Sequence, residues 1–355
     1  MAVDRSDPRS PLRHGAFGSV SALGRRRRAF RSDRRGGVRP GGDRAFVTGA
    51  QPGLVIEDAG LLTTVQDTGR WGYQHYGVSV SGAMDMAAHC RANRLIGNPP
   101  EAATLEITLV GPALRFETAM RVAVAGAAFE LTLDASEVSA DTVLHAHPGQ
   151  RLAFGRRTAG ARAYLAAAGG FSVVPVLGSR STHLRSGMGG LEGRALRAGD
   201  RLTVGPALGV PRREPAAARW RRRLPLGGAR VRVLPGPHAG LFEPVVLRRL
   251  ETARYTIRPE SDRMGYRLDG QPIPGPDGLS LLSLGLPVGA LQILPSGGVV
   301  VAMADRQTAG GYPRVATVAT ADICLLGQLA PGDWIEFERC DQRTAREALA
   351  EVGLA

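Results

Sequence analysis

Two polar segments of the sequence carry residue types that can bind a small anion and donate a proton to it. Both contain Arg-x-Gly-Tyr with an aspartate just upstream, and their members are Asp67, Arg70, Tyr73, Asp262, Arg263 and Tyr266. An arginine can bind a carboxylate or phosphate through two parallel N–H groups, while an aspartate orients it and a tyrosine hydroxyl donates. The same residues could instead form ion pairs that hold a loop in place.

A third polar segment, A-D-R-Q-T-A-G-G-Y-P, directly follows the apolar run V-V-V-A-M. Its candidate residues are Asp305, Arg306, Gln307 and Tyr312. Loops at the ends of strands are the usual place for chemistry on a rigid scaffold. We therefore interpret Arg306 as a third anion-binding arginine, which Asp305 orients and Tyr312 assists. The alternative is an ion-paired loop at the mouth of a barrel.

Two serine-rich loops could supply further anion contacts through hydroxyl and backbone N–H groups. The first contains Ser79 and Ser81 and leads into a predicted helix, and the second contains Ser179, Arg180 and Ser181. Backbone donors at the start of a helix, or in a glycine-rich loop, favour anions. A capped helix start and a surface loop are the corresponding structural interpretations.

Glu106 and Gln292 occupy matching positions of two strand-like segments, L-E-I-T-L-V-G and L-Q-I-L-P-S-G. Glu106 could act as a general base or hydrogen-bond an amide substrate, whereas Gln292 can only hydrogen-bond. Asn93, on the predicted helix, could face the same cleft. For Glu106 an outward-facing position on a half-wet barrel is the alternative.

The composition excludes several kinds of site. All 45 basic residues counted as Lys or Arg are arginines, so these 355 residues hold no P-loop lysine, no Schiff-base lysine and no biotin-carrying lysine. The three cysteines show no C-x-x-C spacing, which favours a reducing compartment and predicts a cytoplasmic location. No run reaches the roughly 18 apolar residues of a membrane span. The seven histidines are scattered, so we predict no metal site.

Short apolar runs separated by turn signals are the elements that must position these residues, and they predict a mostly β fold with few helices. The clearest helix is M-D-M-A-A-H-C-R-A-N-R-L-I-G, with Asp85 as its N-cap and Gly97 at its end. Proline-bounded charged sequence separates two strand-rich stretches. The predicted regions are a disordered Arg-rich leader at 1–50, domains at 51–211 and 226–342, a linker at 212–225, and a C-terminal helix and tail at 343–355.

Most of the formal charge of +13 lies in the leader, because residues 1–50 hold twelve Arg and four Asp. Such a segment cannot bury enough apolar surface to offset the entropy of ordering it. An arm for nucleic acid or another anionic surface is the alternative. Since no aromatic residue lies among Arg25 to Arg28 for base stacking, we do not expect a nucleic-acid partner.

From about Leu54 to Phe337 the sequence resembles a known family. The motifs that carry the resemblance are Q-D-T-G-R-W-G-Y, G-V-S-V-S-G-A-M-D, A-N-R-L-I-G-N, V-L-G-S-R-S-T, S-D-R-M-G-Y-R-L and A-D-R-Q-T-A-G-G-Y-P. They are similar to the second subunit of the allophanate hydrolase and urea amidolyase group, also called the biotin-dependent carboxyltransferase family. That family includes the C-type subunit of the ATP-dependent 5-oxoprolinase and a protein that antagonises a kinase inhibitor.

The resemblance implies two tandem cyclophilin-like β-barrel domains and an enzymatic role as one subunit of a larger complex. The first expectation is an ATP-dependent hydrolase of the lactam 5-oxoproline. It would act with a first-subunit homologue, of the 5-oxoprolinase B-type or the allophanate hydrolase subunit 1 type, and with a lactam-utilisation protein. ATP would serve the assembled complex, and biotin would enter only on a partner carrier. The alternatives are the carboxyltransferase part of a urea carboxylase or allophanate hydrolase system, and a non-enzymatic regulator that binds a kinase-inhibitor-like partner.

Overall fold

A computed structural model describes residues 53–207, 224–275 and 281–352 of the chain. The predicted leader at 1–50 and nearly all of the predicted linker lie outside the described residues. The described residues all belong to one compact unit, Ala50–Ala355. Residues 53–207 are called the first half below, and the described residues from 224 onward are called the second half. The predicted domain boundaries stay predictions.

Within residues 53–207, nine antiparallel strands form one curled sheet with the path β2-β3-β8-β4-β1-β9, and β5, β6 and β7 are attached to it through β8. The strands are β1 (Gly53–Asp58), β2 (Leu62–Gln66), β3 (Thr104–Thr108), β4 (Ala113–Phe116), β5 (Met120–Leu133), β6 (Ser136–Val138), β7 (Leu144–Ala146), β8 (Arg151–Ala167) and β9 (Arg201–Thr203).

The longest strands of this sheet join pieces that the sequence pattern separates. The apolar runs at residues 122–125 and 131–133 both lie in β5, and the runs at residues 152–154 and 163–167 both lie in β8. The pairing of β5 with β8 shifts register between Gly126 and Leu131. Gly126 has a positive φ of 106°, which bends the strand without ending it. The bend looks like a loop in the sequence because it interrupts the apolar alternation.

Helix α1 (Met86–Ile96) confirms the predicted helix and both of its ends. The side chain of Asp85 accepts a hydrogen bond from the backbone N–H of Ala88, and Gly97 ends the helix in the left-handed conformation. Three of the seven buried residues of the helix are alanines, which allow close packing against β5 and β8. This helix therefore sits rigidly at the end of the loop that contains Ser79 and Ser81.

In the described residues of the second half, seven strands close a barrel in the order β10-β17-β14-β15-β12-β11-β18, and β18 returns parallel to β10. The elements are β10 (Gly228–Pro235), α2 (Pro244–Thr252), β11 (Arg254–Ile257), β12 (Gly265–Asp269), β13 (Leu284–Gly285), β14 (Ala290–Ile293), β15 (Val299–Ala302), β16 (Ala309–Gly310), β17 (Arg314–Val318), α3 (Thr320–Leu326), β18 (Trp334–Arg339) and α4 (Gln342–Val352). Strands β13 and β16 pair with each other as a small ribbon outside the barrel.

Each half has its own apolar core. In the first half, residues such as Leu105, Phe116 and Leu165 fill the concave side of the curled sheet. In the second half, residues such as Val231, Leu291 and Phe337 fill the barrel. The prediction of a mostly β fold with few helices is confirmed. Among the described residues the second sheet is a closed barrel and the first is an open, curled one.

The sequence repeat corresponds to matching elements in two of its three parts. L-E-I-T-L-V-G and L-Q-I-L-P-S-G supply β3 and β14, and a later pair of similar segments, H-P-G-Q-R-L-A-F and A-P-G-D-W-I-E-F, runs into β8 and β18. The Arg-x-Gly-Tyr segments differ, because Arg70 and Tyr73 lie in a loop after β2 whereas Tyr266 lies within β12. The two arginines are therefore not placed equivalently. No helix in the described part of the chain is long and apolar enough to cross a membrane.

Candidate functional site

Asp67 is the centre of a buried hydrogen-bond cluster at the end of β2. Its Oδ1 accepts from the hydroxyls of Ser179 at 2.7 Å and Ser181 at 2.5 Å, and its Oδ2 accepts from the backbone N–H of Arg180 at 2.5 Å. The backbone N–H of Gly69 also donates to Oδ1, at 2.8 Å. The structure thus brings together four residues predicted for the site. They hydrogen-bond to one another and so connect the loop of Ser179 to Ser181 with the end of β2.

Arg70 lies beside this cluster and is only 1% exposed. Its Nη2 donates to the carbonyl of Ser181, while Nε and Nη1 have no hydrogen-bond partner among the described residues. Burial lowers the pKa of the guanidinium, and Asp67 and Asp305 oppose that shift. Arg70 lines neither of the two pockets described below, so its predicted role in gripping an anion stays a prediction.

The other predicted residues of the first loop and of α1 also lie away from these pockets. Tyr73 is half-buried, and Ser81 is buried with φ of 58° and no partner for its hydroxyl among the described residues. Asn93 was expected to face the cleft. It instead donates to the carbonyl of Ala102 at 2.8 Å and accepts from Asn98 at 3.0 Å, because the loop after α1 folds back over the helix end.

Glu106 joins the two halves through Arg263 and Asp305. Arg263 Nη1 donates to Glu106 Oε1, and its Nε and Nη2 donate to the two carboxylate oxygens of Asp305, each at 3.0 Å. Glu106 comes from β3, whereas Arg263 precedes β12 and Asp305 follows β15. All three side chains are buried. Arg263, predicted to grip a substrate anion, is therefore occupied by two carboxylates of the protein.

The second oxygen of Glu106 is also engaged. Oε2 accepts from the backbone N–H of Met84 at 2.8 Å and from the hydroxyl of Tyr164 at 2.7 Å. Burial, followed by the charge of Glu106, raises the pKa of Tyr164 well above its usual value, so this hydroxyl stays a proton donor. Both carboxylate oxygens of Glu106 are thus hydrogen-bonded within the protein, and its predicted role as a general base stays a prediction.

Four further residues complete this network, and sequence reasoning missed two of them, Arg162 and Gln328. Arg162 Nη1 donates to the hydroxyl of Tyr266 at 3.0 Å and to the carbonyl of Gly327 at 2.7 Å. Gln328 donates to Asp85 at 2.7 Å and accepts from the backbone N–H of Arg162 at 3.1 Å. The signals that could have identified Arg162 and Gln328 are polar residues within otherwise apolar runs. We call the set the interface network: Asp85, Glu106, Arg162, Tyr164, Arg263, Tyr266, Asp305 and Gln328.

A polar pocket of about 350 Å³ lies on the outside of the barrel, beside the β13–β16 ribbon. It is lined by five of the predicted residues, Asp262, Gln292, Arg306, Gln307 and Tyr312. Arg306 Nε donates to the carbonyl of Leu286 at 2.8 Å, and Nη1 reaches the carbonyl of Met303 at 3.4 Å. The hydroxyl of Ser79 donates to the Arg306 carbonyl at 3.1 Å. The first half therefore helps to position this loop.

An adjoining cleft of about 420 Å³ lies between the halves and is mostly apolar. It is lined by Arg162, Arg263 and Asp305 of the interface network. It shares Arg185, Asp262 and Met264 with the polar pocket. Asp262 is exposed, and its carboxylate accepts from the backbone N–H groups of Met264 at 2.8 Å and Gly265 at 3.3 Å. Asp262 thus stabilises the turn before β12. Sequence analysis instead expected its carboxylate to orient Arg263.

The chain matches the family described as "Carboxyltransferase domain, subdomain A and B" over residues 76–339. It is 42% identical to the C-type subunit of 5-oxoprolinase from Escherichia coli, over 83% of this chain and 94% of that protein. It is 37% identical to the corresponding 5-oxoprolinase subunit from Haemophilus influenzae, over 80% of this chain and 90% of that protein.

The crystal structure of the K. lactis urea amidolyase is similar to this structure with a TM-score of 0.79 and 30% sequence identity. The match covers 87% of this chain but 20% of the urea amidolyase chain. The described residues thus correspond to about one fifth of that larger protein. The fold is shared by a protein that contains it as one part and by separate subunits of nearly the same length as this chain.

Proposed function

Because the chain belongs to the carboxyltransferase domain family, subdomains A and B, we propose that it is a subunit of an ATP-dependent hydrolase that opens 5-oxoproline to glutamate. The observation that carries this proposal is the 42% identity to the C-type subunit of the Escherichia coli 5-oxoprolinase over 94% of that protein's length. Similarity over nearly a whole subunit supports a subunit of the same kind rather than a domain of a larger enzyme.

The geometry supports a contribution of binding groups to a site that other subunits complete. The carboxylates of Glu106 and Asp305 are occupied by Arg263, so neither is free to activate a nucleophile. Arg306 is held by two carbonyl oxygens beside a pocket. Preorganised donors of this kind stabilise negative charge that develops during a reaction. We therefore propose that this chain orients the substrate and that its partners supply the remaining groups.

In the complex, ATP would supply phosphorylation of the lactam carbonyl oxygen. ADP would leave, water would add at the activated carbon, and the ring C–N bond would break as the ring nitrogen takes a proton, which leaves an acyl phosphate. A second water would then release inorganic phosphate from the acyl phosphate to give glutamate. This chain contains no lysine, so any phosphate contact it makes must come from arginine, hydroxyl or backbone N–H groups. We propose a first-subunit homologue as the partner and the cytoplasm as the location, which is supported by three cysteines that form no disulfide.

A carboxyltransferase role in a urea carboxylase system is the second candidate, and the TM-score of 0.79 to the urea amidolyase favours it. Biotin cannot be attached to these 355 residues, because they contain no lysine. A biotinylated carrier would have to come from a partner. The two candidates differ in substrate and product, so a single reconstitution distinguishes them.

The experiment purifies the chain alone and together with a first-subunit homologue and a lactam-utilisation protein, and measures glutamate formation from 5-oxoproline with and without ATP. We expect ATP-dependent glutamate only from the assembled complex. Robust turnover by the lone chain would contradict the subunit assignment. Carboxylation of urea with a biotinylated carrier, without glutamate formation, would favour the second candidate. A stable complex that turns over neither substrate would favour the remaining alternative, a non-enzymatic regulator that binds a partner protein.

A further inference from the structure

Arg306 lines the polar pocket and has no carboxylate partner among the described residues. The neighbouring Asp305 binds Arg263 with both oxygens, and Arg306 uses Nε and Nη1 on the neutral carbonyls of Leu286 and Met303. No hydrogen bond from its Nη2 is found within residues 53–207, 224–275 and 281–352. Burial lowers the pKa of Arg306, yet arginine stays charged at neutral pH. A desolvated charge of this kind is stabilised when an anion binds beside it.

The acidic residues of the polar pocket are engaged elsewhere. Asp262 accepts from two backbone N–H groups, at 2.8 and 3.3 Å, and Glu260 pairs with Arg258 at 3.3 Å on the protein surface. Arg185, from the first half, lines the same pocket as Arg306. With Arg267, three arginines line the pocket against the two carboxylates of Asp262 and Glu260, so its net charge is positive and the ligand class that it favours is anionic.

Gln292 supplies an amide at the wall of the same pocket. It lies on β14 and is 8% exposed, and none of the hydrogen bonds found among the described residues uses its side chain. Gly310 of the ribbon approaches it so closely that a Cβ at that position would lie 2.8 Å from Gln292 Nε2. The glycine leaves room for the Gln292 amide, which keeps both a donor and an acceptor for a ligand.

A lactam has the hydrogen-bond pattern that complements this carboxamide. Its amide is cis, so the N–H and C=O groups lie side by side on one edge of the ring. A primary carboxamide can pair with that edge, because its oxygen accepts from the ring N–H while its NH₂ donates to the ring carbonyl. The volume of about 350 Å³ is within the usual range for small-molecule pockets.

We propose that the polar pocket binds a small lactam that carries a carboxylate, with Arg306 on the carboxylate and Gln292 on the cis-amide edge. This assignment rests on the proposed function for its substrate class. Urea offers an amide edge but no carboxylate, so the pocket disfavours it. A partly buried charged donor such as Arg306 discriminates between ligands that have and lack its partner group. Arg306 thus determines specificity, and Gln292 orients the carbonyl that must react.

The test measures binding of three probes to the full chain by calorimetry, and repeats it with the assembled complex. L-5-oxoproline has both groups, 2-pyrrolidinone lacks the carboxylate, and L-proline lacks the ring carbonyl. We expect 5-oxoproline to bind more tightly than either. Arg306→Ala should weaken 5-oxoproline binding about 10- to 100-fold, as expected for loss of a charged hydrogen-bond partner, and leave 2-pyrrolidinone unaffected.

Two variants address the amide side. Gln292→Leu should weaken both lactams to a similar degree and keep the preference for the carboxylated one. Gly310→Ala retains every pocket side chain, and its φ lies outside the left-handed region, but the new Cβ displaces the Gln292 amide. It should therefore weaken both lactams as well. Arg156→Ala is the charge-matched control, because Arg156 is exposed on β8 and lines neither pocket.

Equal affinity for 5-oxoproline and 2-pyrrolidinone, or unchanged 5-oxoproline binding in folded Arg306→Ala, would overturn the proposal. Thermal melts establish folding, and Arg306→Lys provides a second variant that keeps the charge but not the paired N–H groups. If the complex forms glutamate but does not show the expected preference for 5-oxoproline and its loss in Arg306→Ala, the pocket assignment is wrong and the proposed function stands. If the expected binding preference is found but the complex forms no glutamate, the pocket assignment stands and the proposed function is wrong.

Discussion

The interface network and the polar pocket are adjacent at the peptide bond between Asp305 and Arg306. The two regions differ in whether their charged side chains have a partner of opposite charge. Asp305 belongs to the network, where Arg263 occupies both of its oxygens. Arg306 belongs to the pocket, where only neutral carbonyls hold its guanidinium. In the network Arg263 is paired with two carboxylates, whereas in the pocket Arg306 has no carboxylate partner among the described residues.

This difference indicates which buried charges are structural. A buried ion pair contributes little net stability compared with apolar residues, but removal of one partner is strongly destabilising, because the other charge stays buried without compensation. A charge that the fold stabilises only with carbonyl groups should behave differently. Its loss should change ligand binding more than the free energy of unfolding. The following predictions test that distinction, starting with the largest expected effect.

Arg263→Ala should have the largest effect on stability. It leaves the carboxylates of Glu106 and Asp305 buried without their cation, which should lower the free energy of unfolding by about 3–5 kcal/mol. A thermal melt should show a fall in Tm of about 5–15 °C. Arg156→Ala removes an exposed arginine that pairs with Glu130 at 3.1 Å and should leave Tm nearly unchanged. A Tm for Arg263→Ala equal to that of the wild type would contradict a structural role for the interface network.

Glu106→Gln should have an intermediate effect. The side chain keeps its shape, and Arg263 keeps Asp305, but the charged hydrogen bond is lost at a cost of about 2 kcal/mol. Activity of the assembled complex should fall only in proportion to the folded fraction. A general base would instead give a loss of about 10²- to 10⁴-fold with unchanged Tm. Activity and melting curves measured on the same preparation distinguish the two roles.

His89 extends the comparison to a buried group that must stay neutral. It is fully buried on α1, Nε2 donates to the carbonyl of Pro100 and Nδ1 accepts from the hydroxyl of Thr104, each at 2.8 Å. Burial lowers its pKa below the ordinary value of 6.5, against the charges of Asp67, Glu106 and Asp85. Its stabilising contribution is therefore fully present above about pH 6.5 and is lost as pH falls through the folded-state pKa.

The expected slope from His89 is at most about 1.4 kcal/mol per pH unit below pH 6.5, because one proton is taken up on unfolding. Chemical denaturation at several pH values measures it. His89→Gln should show a shallower slope, even if the variant is less stable at pH 7. His147→Gln is the matched control, because His147 lies exposed in the turn before β8. The same slope in His89→Gln and in the wild type would contradict this role.

The local structure of the chain was largely predictable. Asp85 and Gly97 mark the ends of α1, and the runs around Leu105, Leu165 and Leu291 form strands as their apolar patterns indicate. Strand β12, G-Y-R-L-D, was missed, because the segment S-D-R-M-G-Y-R-L that overlaps it was interpreted as an anion-binding segment. Helices α2 and α3 were missed as well, since one is rich in charged residues and the other has only seven residues.

The residues of the candidate site could be selected from the sequence, but the role of each residue could not. Gln292, Arg306, Gln307 and Tyr312 were selected from two segments, and the fold brings them to one pocket. The parallel between Arg70 and Arg263 was misleading, because one follows a strand and the other precedes one. Sequence similarity at matching spacings does not specify on which side of a strand a side chain lies.

The sequence by itself determined the mostly β class, the capped helix, the absence of lysine and the set of polar residues available for chemistry. These properties depend on residue type and on neighbours along the chain. Only the tertiary structure decided that Glu106 binds Arg263, 157 positions away, and that Arg306 is left without a carboxylate among the described residues. The physical reason is that the partners of a buried charge come from distant segments. Their identity depends on how two separately formed sheets pack, which local patterns do not encode.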